Sequence, residues 1–208
     1  IMFGGFVEMW GVDHSFTLKH YIEAFSIDFV EERGLLWTGT AWNSFNVTFV
    51  VAIVSSLPTA AIGILTAYLL TRQKFKGKNA FEFGTMMCFA IPGTIIGVSY
   101  VFAFNVPPIE MTGTGIILVI SFVFRNMPVG VRAGIAAMNQ LDPHLDEASS
   151  TLNASSFQTL KNIILPLLKP AIIAALVFSF VRAMTAISAV IFLVSANYDL
   201  ATSYILGR

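Results

Sequence analysis

Few residues in this sequence stand where they could do chemistry. The three histidines, at 14, 20 and 144, are too scattered for the His-x-x-x-His spacing that grips zinc on one helix face. A single cysteine, Cys88, excludes an internal disulfide and any multi-cysteine metal site. Gly77-Lys78 is followed by Asn79 and lacks the upstream glycine and the Ser or Thr of a phosphate loop. No catalytic residue, no metal ligand set and no bound cofactor are therefore expected. Two arginines remain, Arg125 and Arg182, each deep in an apolar run. A charge at the centre of such a run costs at least about 2.5 kcal/mol in a bilayer, so each is a functional candidate. Thr185 and Ser188 follow Arg182 by three and six residues, which on a helix of about 100° per residue puts all three on one broad face. Two arginines suit an anion or a metal–anion complex better than a bare cation, because a hard cation prefers oxygen ligands. The competing reading is that each arginine snorkels or pairs with a neighbouring helix.

The elements that hold these residues follow from where charge is missing. Of 208 residues, 56% are hydrophobic and 12% charged, and mean hydropathy is +0.76. Soluble domains carry about a quarter charged residues. Twelve basic and twelve acidic residues balance, giving no reason to expect a nucleic-acid partner. No charge occurs from Gly34 through Thr71, or from Phe83 through Ile109. A third apolar run starts at Met111 and meets only Arg125 and Arg132 before Asp142, and a fourth, Pro170 to Tyr198, is broken once, by Arg182. A bilayer core needs roughly 20 apolar residues in a helix rising about 1.5 Å each. The fold class is thus an all-α, multi-pass bundle in a lipid bilayer, with transmembrane helices over 39–70, 83–105, 113–136 and 170–195. Residues 1–7 read as the end of a further helix, too short and without the basic start of a signal peptide.

The loops orient the bundle. Arg72, Lys74, Lys76 and Lys78 mark their loop as cytoplasmic. Segment 139–169 falls on the same side. Segment 8–38 falls outside; its 8–33 portion has six acidic and two basic residues. Val106–Thr112 and Ala196–Arg208 also fall outside. Pro58, Pro92 and Pro128 each lack a backbone donor and are expected to kink their helices. Gly93-x-x-x-Gly97 and Gly130-x-x-x-Gly134 offer small faces for close helix packing.

Segment 139–169 reads as two short helices, too short to span. Asp142 is a plausible N-cap, with Pro143 at the first helical position. Asn153 can close that helix in a left-handed conformation, second in preference to Gly. Ser155 and Gln158 form a capping box for the second helix, and Pro166 and Pro170 lead into the next span.

Glu147-Ala148-Ser149, then Asn153, then Ile163-Ile164-Leu165-Pro166 resembles the loop pattern of inner-membrane permeases of binding-protein-dependent ABC importers, the type I or MetI-like permeases. That pattern is Glu-Ala-Ala, three residues, Gly, nine residues, Ile-x-Leu-Pro. The spacing is kept, while Ser149 replaces the second Ala and Asn153 the Gly. Asn43-Ser44, Ala67-Tyr68 and Ile91-Pro92-Gly93 look like the same family. The resemblance implies a loop that docks in a cleft of an ATP-hydrolysing subunit: Glu147, Ala148, Ser149 and Asn153 at the contact, Ile163, Leu165 and Pro166 at its exit. Arg125, Arg182, Thr185 and Ser188 would then lie on a translocation path. Implied partners are a cytoplasmic ABC ATPase dimer holding ATP and Mg, a second permease module and a periplasmic solute-binding protein. The implied location is a bacterial inner membrane, with alternating access as the mechanism.

The run from Ser179 to Val194 and the run from Asp199 to Arg208 resemble ferric-iron permeases, in particular the second half of the type that fuses two modules in one chain. On that resemblance the chain is expected to be a fragment of a longer permease, trimmed at both ends. Permeases for thiamine, polyamines, sulfate and phosphonates share the scaffold. An ion-coupled secondary transporter would need intramembrane acids, and the runs contain none. An intramembrane enzyme would need a nucleophile beside a base, and all three histidines fall in loops.

Overall fold

The structure, a computed structural model, describes residues 4–9, 11–30, 34–142 and 144–207. Pro143, expected at the first helical position, lies outside the described residues, as do 1–3 and Arg208. The chain opens with a 3-10 turn at Gly4–Phe6 and two small hairpins. β1 (Val7–Met9) pairs with β2 (Asp13–Phe16), and β3 (Ile27–Val30) pairs with β4 (Gly34–Trp37), around the short helix α1 (Lys19–Ala24). Of the helix end expected over 1–7, residues 1–3 lie outside the described residues, Gly4–Phe6 form a 3-10 turn and Val7 begins β1. Here polar and apolar residues mix without a helical period, and local pairing satisfies the backbone instead.

The core is a bundle of long helices. α2 (Ala41–Arg72) and α5 (Gly115–Met138) are each long and apolar enough to cross a membrane. Their meeting line is made of small residues. A methyl on Gly63 would come within 3.2 Å of the Gly130 backbone, and one on Gly134 would overlap the Ala67 methyl. One turn further, Thr71 reaches the Met138 sulfur. The pairs 63/130, 67/134 and 71/138 advance together, so α2 and α5 run parallel. Without a hydrophobic drive in lipid, such backbone-to-backbone approach is what holds helices together.

A parallel pair requires the chain to return between them. α3 (Lys78–Ala90) and α4 (Gly93–Phe104) do this jointly. They are not the one continuous helix expected over 83–105, for they meet at Pro92 with a bend of 104°. Pro92 has no donor to continue α3 and caps α4 instead. Pro58 and Pro128 differ: α2 and α5 continue through both. A two-residue hairpin pair, β5 (Asn105–Val106) with β6 (Ile109–Glu110), leads into α5.

After α5 come α6 (His144–Thr151), α7 (Ser156–Thr159), a π-helical turn at Leu160–Ile164, α8 (Leu165–Leu167) and α9 (Lys169–Thr185). The path bends by 74° between α8 and α9. α9 runs back antiparallel: Leu168 packs with Ile64, Ala67 and Met138 at one end, and Ala183 packs with Val51, Ala52 and Leu118 at the other. It stops at Thr185, ten residues short of the expected 170–195. The extended Ala186 breaks it, and only a 3-10 turn, Val190–Phe192, follows. α10 (Ala201–Leu206) then packs on the first turns of α2, where Ser44 donates to Asp199 at 2.8 Å and Thr48 accepts from the Ala201 N–H at 2.8 Å.

Candidate functional site

Two places gather the chemistry-bearing residues. The first is the α6–α7 segment. The Asp142 carboxylate accepts from the His144 N–H at 2.9 Å and so caps α6. Asn153 ends it with φ of +57°, the left-handed conformation expected of it. Ser155 and Gln158 form the full capping box, with bonds of 2.8 and 3.3 Å. Ser149 is buried and its hydroxyl ties the two short helices together, 2.8 Å from the Thr159 hydroxyl. A methyl there could not make that bond, which gives the serine a physical reason.

Glu147 and Ala148 are exposed side by side, and Glu147 pairs with His144 at 3.0 Å. An exposed contact of this kind contributes at most about 1 kcal/mol, so Glu147 remains available to a cation. Leu152 and Phe157, 82% and 69% exposed, add apolar area on the same two helices. At the exit, the buried residue is Ile164, the variable position of the pattern; Ile163 and Leu165 are half-buried and Pro166 is exposed. Pro166 has no N–H to donate, consistent with the irregular turn before it.

Sequence reasoning missed what ties this segment to the bundle. Arg72, at the end of α2, is an ion-pair partner rather than only a loop charge. Its Nη1 lies 3.2 Å from Asp146 Oδ2 on α6, and Nη2 donates to the Leu141 carbonyl. The Arg72 side chain is only 12% exposed. Arg72 and Asp146, with Tyr68, Ser149, Ala154 and Thr159, line a depression of about 140 Å³. Seventy-four positions separate Arg72 from Asp146, so no spacing rule could have paired them.

The second place lies within the bundle. Arg125 sits on α5, about 15 Å along the helix from its start at Gly115. Its Nη2 donates to Ser188 Oγ at 3.2 Å. Its Nη1 is enclosed and has no hydrogen-bond partner among the described residues. Gly93, the first residue of α4, packs against both groups: a methyl there would overlap Arg125 Nη1 and Ser188 Oγ. Arg182 on α9 is exposed. Thr185 is exposed, and its hydroxyl bonds back to the Val181 carbonyl at 2.9 Å. The expected single helical face of Arg182, Thr185 and Ser188 does not exist, because α9 ends at Thr185. Ser188 instead reaches Arg125 through the unwound segment. Among the described residues no cluster of His, Cys, Asp or Glu could hold a metal ion.

Known proteins are similar to this chain in sequence. The family described as the inner membrane component of binding-protein-dependent transport systems matches residues 48–206. Over all 208 residues the chain is 50% identical to the ferric transport system permease protein FbpB of Actinobacillus pleuropneumoniae, of which it covers 29%. It is 51% identical over 197 residues, 95% of its length, to a putative ferric transport system permease protein FbpB 1 of Haemophilus influenzae, of which it covers 30%. The sulfate transport system permease protein CysT of Salmonella typhimurium is 30% identical over 160 residues, 72% of this chain and 58% of that relative. The chain thus spans less than a third of the length of the two ferric transport relatives.

Proposed function

The chain belongs to the family of inner membrane components of binding-protein-dependent transport systems, and from that premise we propose that it forms part of the permease of an ATP-driven importer whose solute is ferric iron. The observation that carries the substrate is the 50% identity along the whole chain to a protein named a ferric transport permease, against 30% for a sulfate permease. The chain itself does not hydrolyse ATP. A cytoplasmic ATPase dimer binds ATP and Mg, a periplasmic binding protein delivers the solute, and a second permease module completes the path.

In this reading α6 and α7 are the coupling element. Small Ala148 and exposed Glu147, Leu152 and Phe157 present a surface for the ATPase, while Ser149, Asn153 and the capping box hold that surface in shape. Ile163, Leu165 and Pro166 join it to α9 through the bend at Leu168. Because Arg72 grips Asp146, a push on α6 reaches the end of α2 directly.

The test uses the full-length permease with its ATPase and binding protein in vesicles, measuring ATP-dependent uptake of radiolabelled ferric iron with sulfate as competitor. Uptake of iron that sulfate leaves unchanged supports the reading; uptake of sulfate alone overturns the substrate. Glu147→Lys reverses a contact charge, worth a few kcal/mol if the contact is desolvated. Ala148→Trp blocks close approach by bulk. Both are expected to abolish solute-stimulated ATP hydrolysis while the protein still inserts. If both leave hydrolysis and ATPase co-purification unchanged, the coupling assignment is wrong.

A further inference from the structure

We propose that Arg125 and Ser188, with Arg182 six residues before Ser188 in the chain, form an oxyanion-binding site inside the transmembrane bundle, on which the negatively charged part of the transported solute rests. The inference deepens the importer reading and rests on it.

A guanidinium offers five N–H donors in a planar fork that fits an oxyanion through two parallel bonds. Arg125 spends Nη2 on Ser188 at 3.2 Å and leaves the enclosed Nη1 without a partner among the described residues. An enclosed charged donor without an acceptor is costly, so a partner of opposite charge is called for. This bundle cannot supply it. No Asp or Glu occurs in the four apolar runs, and Asp199, just beyond the last, accepts from Ser44 instead.

The surrounding backbone makes room for the Arg125–Ser188 pair. Gly93 carries no side chain where any Cβ would strike Arg125 and Ser188. α4 begins at that glycine, and the positive end of its dipole adds to the field of Arg125. The segment after α9 is unwound, with Ala186 extended and the Ala189 carbonyl laid against Gly97 of α4. Irregular backbone within a bundle is tolerated where protein buries it or where it lines a watery cavity. This break, and not helical period, delivers the Ser188 hydroxyl. Arg182 and Thr185, at the end of α9, are exposed.

The ligand is a small oxyanion such as phosphate or a carboxylate. It arrives either free or as a ligand of the metal ion, and the two sources are separable. The full-length permease with its ATPase, in lipid nanodiscs, is equilibrated with radiolabelled inorganic phosphate, with and without ferric ion. Saturable binding is expected. Binding without iron identifies a free anion, and binding only with iron identifies a metal-borne one. Arg125→Gln and Arg182→Gln are each expected to weaken binding by about tenfold or more, the loss of a charge-assisted bond. Arg125→Lys keeps the charge but not the fork and is expected to fall between. Arg132→Gln, on the exposed pair with Glu82, is the control and is expected to change nothing. Each variant is first checked for monodispersity and ATPase co-purification, and Arg125→Lys covers the case in which the glutamine variant does not fold.

Absence of phosphate binding with and without iron overturns the inference, as it would if an acidic side chain of the second module neutralised Arg125. Unchanged binding in both glutamine variants overturns it too. If ATP-driven uptake fails while phosphate still binds, the importer reading fails and the site stands. If uptake is intact and phosphate does not bind, the site alone is wrong.

Discussion

Arg72 shows what a single partly buried charge can do at the edge of a membrane protein. With Asp146 gone, its guanidinium would keep only the Leu141 carbonyl, and its Nε has no partner among the described residues. Asp146 is 33% exposed, so water would compensate in part, and Asp146→Asn is expected to cost about 1–2 kcal/mol rather than the larger penalty of a fully buried pair. The functional consequence is expected to be larger, since α6 loses its tie to α2. Solute-stimulated ATP hydrolysis should fall in Asp146→Asn and in Arg72→Gln, and the double variant should be no worse than either, because both remove one interaction. Losses that simply add in a double-mutant cycle would break this account. At Asn153 the expectation runs the other way. Its φ of +57° suits glycine better than any residue with a Cβ, so Asn153→Gly should leave stability unchanged or raise it by up to about 1 kcal/mol in a thermal unfolding series.

At the scale of the element, α2 is inverted relative to a helix of a water-soluble protein. Its buried face carries Ser44, Thr48, Ser55, Thr59 and Gly63, while Phe45, Phe49, Val50, Ile53 and Leu57 are exposed. Thr48, Ser55 and Thr59 bond back to carbonyls of their own helix, so their burial leaves no donor stranded. What the inner face offers instead of hydrophobicity is closeness, and the glycines are not equivalent in this. A methyl at Gly130 would meet its nearest neighbours at 3.6 Å or more, ordinary contact, whereas one at Gly134 would strike Ala67. Gly130→Ala is therefore expected to stay within about 1 kcal/mol of the unmodified protein, helped by helix propensity. Gly134→Ala should force α5 from α2 and cost about 1–3 kcal/mol. Heating both variants in detergent and following the monodisperse fraction checks the order. Equal midpoints would mean that the α2–α5 line is looser than the geometry says.

For the whole molecule, the parallel course of α2 and α5, the bent return through α3 and α4, and the antiparallel α9 set an alternation of ends. The four basic residues Arg72, Lys74, Lys76 and Lys78 and the α6–α7 segment then fall together at one end, with α10 and the first turns of α2 at the other. Excess Lys and Arg mark the cytoplasmic side. In a Cys88→Ser background, Lys76→Cys is expected to react with an impermeant maleimide only after cells are opened, and Asp13→Cys in intact cells. Both positions are exposed, so access and not burial decides the outcome. Rapid reaction at 76 in intact cells would invert the molecule.

The sequence by itself determined the class, the four apolar runs and the details of the α6–α7 segment. Charge-free stretches of 20 or more residues can satisfy their backbone in lipid only as helices. Caps such as Asp142, Asn153 and the Ser155–Gln158 box are legible because each acts within a few residues of itself. Family membership was legible for the same reason, since the loop pattern is a local spacing. Only the tertiary structure decided where the runs bend or stop. Pro58, Pro92 and Pro128 look alike in sequence, yet one breaks its helix by 104° while α2 and α5 continue through the other two. Neighbouring helices determine whether a missing backbone donor can be accommodated. Likewise, helical period placed Ser188 on the face of Arg182, whereas the end of α9 at Thr185 sent it to Arg125. The pairings Arg72–Asp146 and Arg125–Ser188 join residues 74 and 63 positions apart, and such contacts are created only when packed helices bring them together.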